Sequence, residues 1–167
     1  INMQWGSDNW RIVNNELFDW DAMDEDVGGE RTEARAGGIA GNGNDVKIFG
    51  NGIHDIGGGT KNHGIYVDFD GDPDTVNNIE IAWNYIYNHT GGNLLQLYGS
   101  NGDMKNVNIH HNMLDGGTRY GFNIGRNSDS GITIWNNVVM NTAYAGIRFD
   151  TNYPSGGLYI YNNTFYN

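Results

Sequence analysis

Four aspartates alternate through Asp68-Phe69-Asp70-Gly71-Asp72-Pro73-Asp74. Flexible acidic loops of this kind suit a hard cation, because Ca²⁺ takes about six to eight oxygen ligands. Asp68, Asp70, Asp72 and Asp74 are therefore candidate Ca²⁺ ligands, although no Glu stands at the far position of an EF-hand. A solvated acidic turn is the plainer alternative. A second group is His63, Tyr66, Arg126 and Arg148. A β-eliminating lyase needs a base near the α-carbon of its sugar and cations to neutralise the uronate carboxylate. His63 or Tyr66 would be the base, and Arg126 or Arg148 the cation. Gln96, Tyr98, Asn123 and Asp150 are candidate sugar contacts, since polar groups meet hydroxyls and aromatic rings meet CH faces. A glycoside hydrolase would instead need two carboxylates about 5–9.5 Å apart. The competing reading of all these residues is an ordinary polar face.

Such scattered groups act together only if the chain brings them into register, and an internal repeat does so. The pattern apolar-x-apolar-x-x-Asn-x-apolar begins at Trp10, Val46, Ile79, Val107, Ile132 and Leu158. Its Asn falls at 15, 51, 84, 112, 137 and 163, with spacings of 36, 33, 28, 25 and 26 that settle near 25. A second alternating run follows at Gly64–Asp68, Leu94–Tyr98, Gly121–Gly125 and Gly146–Asp150, with a weaker copy at Gly38-Ile39. Alternation with period two is the signature of a strand. The segment after each Asn, such as 85–87 or 164–166, supplies a third short strand. Strands repeated every ~25 residues cannot bury a core singly, but stacked coil on coil they can. The expected fold is all-β: a single-stranded parallel β-solenoid of about six coils of ~25 residues.

The composition then has a cause. The chain of 167 residues holds 26 Gly and 26 Asn. Asn tolerates the left-handed backbone of a sharp bend. The same Asn in each coil would lie about 4.8 Å from the last, close enough for an amide ladder. Glycine serves the other corners. Stacked register puts Tyr66, Gln96, Asn123 and Arg148 in one outward column, and Asp68, Tyr98 and Asp150 in the next, with His63 and Arg126 at the edges. Three coil steps then separate Asp68 from Asp150 by about 14 Å, too far for a hydrolase pair. On another sheet Phe49, His110, Trp135 and Tyr161 form an aromatic column that Ala82 interrupts. Strand alternation sends the adjacent His110 and His111 to opposite sides, so they are not expected to share a metal.

These repeats resemble the right-handed parallel β-helices of the pectate-lyase-like superfamily. The copies at 106–114 and 157–165 come closest to a consensus repeat. The resemblance covers nearly the whole chain and implies a right-handed coil. It leaves activity open, because that superfamily includes lyases, hydrolases, epimerases, surface proteins and phage spikes. In related lyases and hydrolases a sugar groove runs along a sheet like the one bearing Tyr66 and Gln96. No Gly-His-Gly or paired-Asp signature of polygalacturonase-type hydrolases is present, and Asn62-His63-Gly64 matches only in part.

Composition excludes other classes. Nine Lys and Arg against 20 Asp and Glu give a formal charge of -11, a poor footprint for nucleic acid. No stretch is long and apolar enough to span a bilayer. Without Cys there is no disulfide framework or thiolate metal site. Insertions fall at 19–35, with seven acidic residues, and at 68–78. Neither end offers an amphipathic cap, so residues 1–167 read as one β-helix domain that is a fragment or processed piece of a longer chain. The expected protein is extracellular or on a bacterial cell surface, secreted, and binds or cleaves a polysaccharide as a lyase or hydrolase would. The alternative is a non-catalytic surface or matrix module, or a filament component associating end to end.

Overall fold

The computed structural model describes residues 1–3, 8–20, 37–68, 76–98, 104–125, 130–149 and 157–167. The described strands come in repeating triplets. The first is β1 (Asn2–Met3), β2 (Arg11–Val13) and β3 (Glu16–Trp20). Next come β4 (Gly37–Gly41), β5 (Val46–Phe49) and β6 (Gly52–Ile56). Then follow β7 (His63–Asp68), β8 (Val76–Ala82) and β9 (Tyr85–His89). The fourth triplet is β10 (Leu95–Tyr98), β11 (Met104–His110) and β12 (Met113–Gly117). The fifth is β13 (Phe122–Ile124), β14 (Ser130–Trp135) and β15 (Val138–Thr142). The last is β16 (Ile147–Phe149), β17 (Leu158–Tyr161) and β18 (Thr164–Tyr166).

Each strand pairs in parallel with its counterparts one triplet away, which makes three sheets of six strands. The chain is a right-handed parallel β-solenoid, as the repeat and the resemblance predict. The inward residues form continuous columns. Ile12, Ile48, Ile81, Ile109 and Ile134 stack in the second sheet. Ile53, Ile86, Leu114 and Val139 stack in the third. Ile65, Leu95 and Phe122 stack in the first. All of these are buried in one core. Parallel stacking of apolar side chains in these columns explains the period-two pattern, since a one-residue slip would turn every column outward. Among the described residues no helix is long and apolar enough to cross a membrane.

The asparagine ladder has the predicted members but a different division of labour. Each amide nitrogen donates to the next Asn Oδ1: Asn15 to Asn51, then Asn84, Asn112, Asn137 and Asn163, at 2.9–3.0 Å. Each of those oxygens also accepts the backbone N–H of the preceding ladder residue. The nitrogen donates a second time to a core carbonyl, as Asn84 does to Ile48 and Asn112 to Ile81. Buried amides are thus paired at both ends, which keeps a polar stripe tolerable inside an apolar tube. The expectation that the same Asn also takes the left-handed bend is corrected. Positive φ belongs to the residue before it: Asn14 (55°), Gly50 (64°), Trp83 (61°), His111 (54°), Asn136 (53°) and Asn162 (54°). One residue turns the chain, and the next turns its amide inward.

Candidate functional site

The first sheet carries most of the sequence-predicted site. Its register sets Ala40, Tyr66, Gln96, Asn123 and Arg148 side by side, and Tyr98 beside Asp68. The column forms as predicted, but it is not an open shelf. Tyr66, Gln96 and Asn123 are only 6%, 9% and 5% exposed, and His63 and Asn93 are also buried. Position on an outward strand face does not guarantee exposure. Asn93 and Asn123 both donate to Gln96 Oε1, Asn123 at 3.2 Å. Asn93 Oδ1 accepts the Tyr120 N–H at 3.3 Å. Asn123 Oδ1 has no hydrogen-bond partner among the described residues.

Two glycines make room for this cluster. A Cβ at Gly92 would run into the His63 ring, and one at Gly125 into the Tyr98 ring. His63 Nδ1 accepts the Asn93 backbone N–H at 2.8 Å, so the ring proton sits on Nε2. The ring therefore presents a donor, whereas a general base must present a lone pair. Tyr66 packs against it at 5.1 Å between ring centroids. The Arg148 guanidinium lies 5.1 Å over the Tyr120 ring, a cation–π contact. Arg126, Asp150, Asp70, Asp72 and Asp74 lie outside the described residues, as does the Asp68 side chain, so the lyase cation pair and the Ca²⁺ loop are not placed.

The corner between the second and third sheets carries groups that alternation alone does not place. The aromatic column is as predicted, with Phe49, Ala82, His110, Trp135 and Tyr161 in register. His110 stacks on Trp135 at 4.3 Å, and Trp135 on Tyr161 at 6.0 Å. His110 and His111, however, do not diverge. Their Nδ1 atoms are 2.9 Å apart. The reason is the left-handed φ of His111: strand alternation ends at the bend, and the ring swings back beside its neighbour. His110 Nε2 lies 3.1 Å from Glu80 Oε1, and Lys47 Nζ is 3.3 Å from Glu80 Oε2. Asn136 Nδ2 lies 3.2 Å from His111 Nε2. One proton assignment satisfies the whole chain. Asn136 donates to His111 Nε2, His111 Nδ1–H donates to His110 Nδ1, and His110 Nε2–H donates to Glu80. Burial works to raise the Glu80 pKa, but the hydrogen bonds from His110 and Lys47 outweigh it, and the carboxyl lies below its ordinary value.

Trp83 completes this corner. Its indole is 62% exposed and stacks on His111 at 4.2 Å. Tyr85, Met113 and Val138 continue one exposed column alongside it. A bulky residue is costly in the left-handed region, where the equivalent positions hold Asn, Gly or His. The sequence signal for it was the one large aromatic directly before a ladder Asn.

A third cluster sits on the outer face of the third sheet. Phe18, His54 and Tyr87 stack at 5.3 and 4.6 Å. His54 Nδ1 is 2.6 Å from Asp55 Oδ2. That hydrogen bond raises the His54 pKa against the opposing effect of burial, with help from Glu16. Inside the coil, His89 donates from Nε2 to the Asn62 carbonyl at 2.7 Å. Burial pushes its pKa down to about 4, so the ring is neutral near pH 7.

No group of three or more His, Asp or Glu suited to a metal ion occurs among the described residues. No curated protein matches the chain. The family model of the right-handed β-helix region matches residues 3–167. With three parallel sheets and a continuous asparagine ladder along one corner, the chain belongs to the right-handed β-helix family.

Proposed function

We propose that this β-helix is an extracellular polysaccharide-binding domain, and that it binds through the aromatic ridge of Trp83 and Tyr85 rather than through the buried column of the first sheet. The observation that carries this reading is Trp83: a large aromatic held at φ 61° and 62% exposed. Strained backbone persists where surrounding structure enforces it, and it clusters at functional positions. A flat indole, with Tyr85 one ladder residue away, offers rigid apolar area of the kind that packs on sugar CH faces. The formal charge of -11 opposes polyuronates and favours a neutral glycan. The absence of Cys and the abundance of Asn, Gly and Tyr are the compositional grounds for placing the domain outside the cell.

The test is binding to a glycan array with and without EDTA, comparing the parent protein with Trp83→Asn. Asn is native to this bend at positions 14, 136 and 162, so the variant keeps the fold. Loss of binding in the variant, unaffected by EDTA, supports the ridge. Equal binding by both proteins rules the ridge out, and binding that vanishes only with EDTA moves the site to the Asp68–Asp74 loop. Silence of the parent across all glycans favours the second reading, a rigid non-catalytic scaffold, which the unbroken amide ladder suits.

A further inference from the structure

We propose that His110 and His111 form a bidentate site for a divalent copper or nickel ion, using their two Nδ1 atoms. The two nitrogens are 2.9 Å apart. Metal–imidazole bonds are about 2.0–2.1 Å. Two such bonds at a right angle span about 2.9 Å, whereas a tetrahedral pair spans about 3.3 Å. The separation therefore matches adjacent positions of a square-planar or octahedral ion, the geometry of Cu(II) and Ni(II), better than tetrahedral Zn(II). Solvent would fill the remaining positions.

The surroundings prepare one ligand and hold both. Glu80 Oε1 accepts from His110 Nε2 at 3.1 Å, which fixes that ring's proton on Nε2 and leaves Nδ1 a lone pair. A carboxylate behind a ligating His is the usual outer partner of such a ligand. Lys47 pins the other Glu80 oxygen. His111 needs one change: its proton moves from Nδ1 to Nε2, and the Asn136 amide turns to accept it through Oδ1. Both imidazoles stay neutral, so the rings release no net proton. Trp83 stacks on His111 and Trp135 on His110, which limits ring motion and places two indoles beside the ion.

The experiment is titration of the whole chain with Cu²⁺ and Ni²⁺ at neutral pH, read by tryptophan fluorescence and by the imidazole NMR signals of His110 and His111. Saturable quenching together with shifts of both rings is expected. His111→Asn should abolish the saturable phase; Asn is native to this bend one coil away at Asn136, and circular dichroism checks the fold. Glu80→Gln should weaken binding by about 10-fold or more. His54→Asn should leave the midpoint unchanged. The proposal is overturned if the parent shows no saturable binding, or if His111→Asn binds with the parent's midpoint. It is also overturned if His54→Asn, rather than His111→Asn, removes the signal. Because no glycan is present, the outcome is independent of the polysaccharide reading.

Discussion

The first sheet and the corner between the second and third sheets are built from the same outward register, yet they have opposite fates. On the first sheet, Asn93 and Asn123 close onto Gln96 in a buried polar cluster, with Tyr66 buried against His63. At the corner, Trp83 and Tyr85 stand in solvent while His110 and His111 are drawn together. The difference lies in the backbone. Residues on a flat parallel sheet lie about 4.8 Å from their neighbours and can link side to side. Trp83 and His111 each sit at a left-handed bend and so leave the alternation of the strands.

The ladder separates the corner from the core, so breaking it gives the largest effect. Asn112→Ala strips the acceptor from both the N–H and the amide of Asn84, and the donor from the Ile81 carbonyl. A loss of about 3 kcal/mol or more is expected in denaturant unfolding. Acid comes next. The pKa of His89 is depressed to about 4 by burial, so its neutral form stabilises the fold fully above pH 6.5. That contribution falls as pH drops towards 4, by at most about 3 kcal/mol. A parent whose stability is flat from pH 6.5 to 4, or a His89→Gln variant with the same slope, would contradict this.

Smaller effects compare the two faces directly. Gln96→Ala leaves Asn93 and Asn123 without their shared acceptor and should cost about 2 kcal/mol. Tyr85→Ala, at the exposed corner, should change stability by about 0.5 kcal/mol or less. Equal costs at the two positions would erase the contrast between them. Trp83→Asn should go the other way, gaining about 1 kcal/mol by relieving the left-handed bend while losing glycan binding. The least effect is at His54. Its pKa is raised by Asp55, so its contribution is present below about pH 6.5 and is lost as pH rises through the folded value. A melting temperature that fell on alkalinisation in the parent but not in His54→Asn would bear this out.

Much of the scaffold could be read from spacing. The six ladder Asn, the core columns of Ile and Val, and the pairing of Tyr66 with Gln96 and Asn123 follow once period two and a repeat near 25 are combined. The site was less legible. The sequence pattern marks Gln96 and Asn123 as outward, but it holds no information on what covers them. It also sends His110 and His111 apart, because strand alternation does not hold across the bend at His111.

The sequence by itself determined the coil: like residues at a repeating spacing stack in parallel, and that stacking pairs each ladder amide with the next. Only the tertiary structure decided which outward groups meet solvent and which meet each other. Burial of Gln96 depends on contacts between coils, and the meeting of His110 with His111 depends on one left-handed φ, neither of which a repeat period encodes.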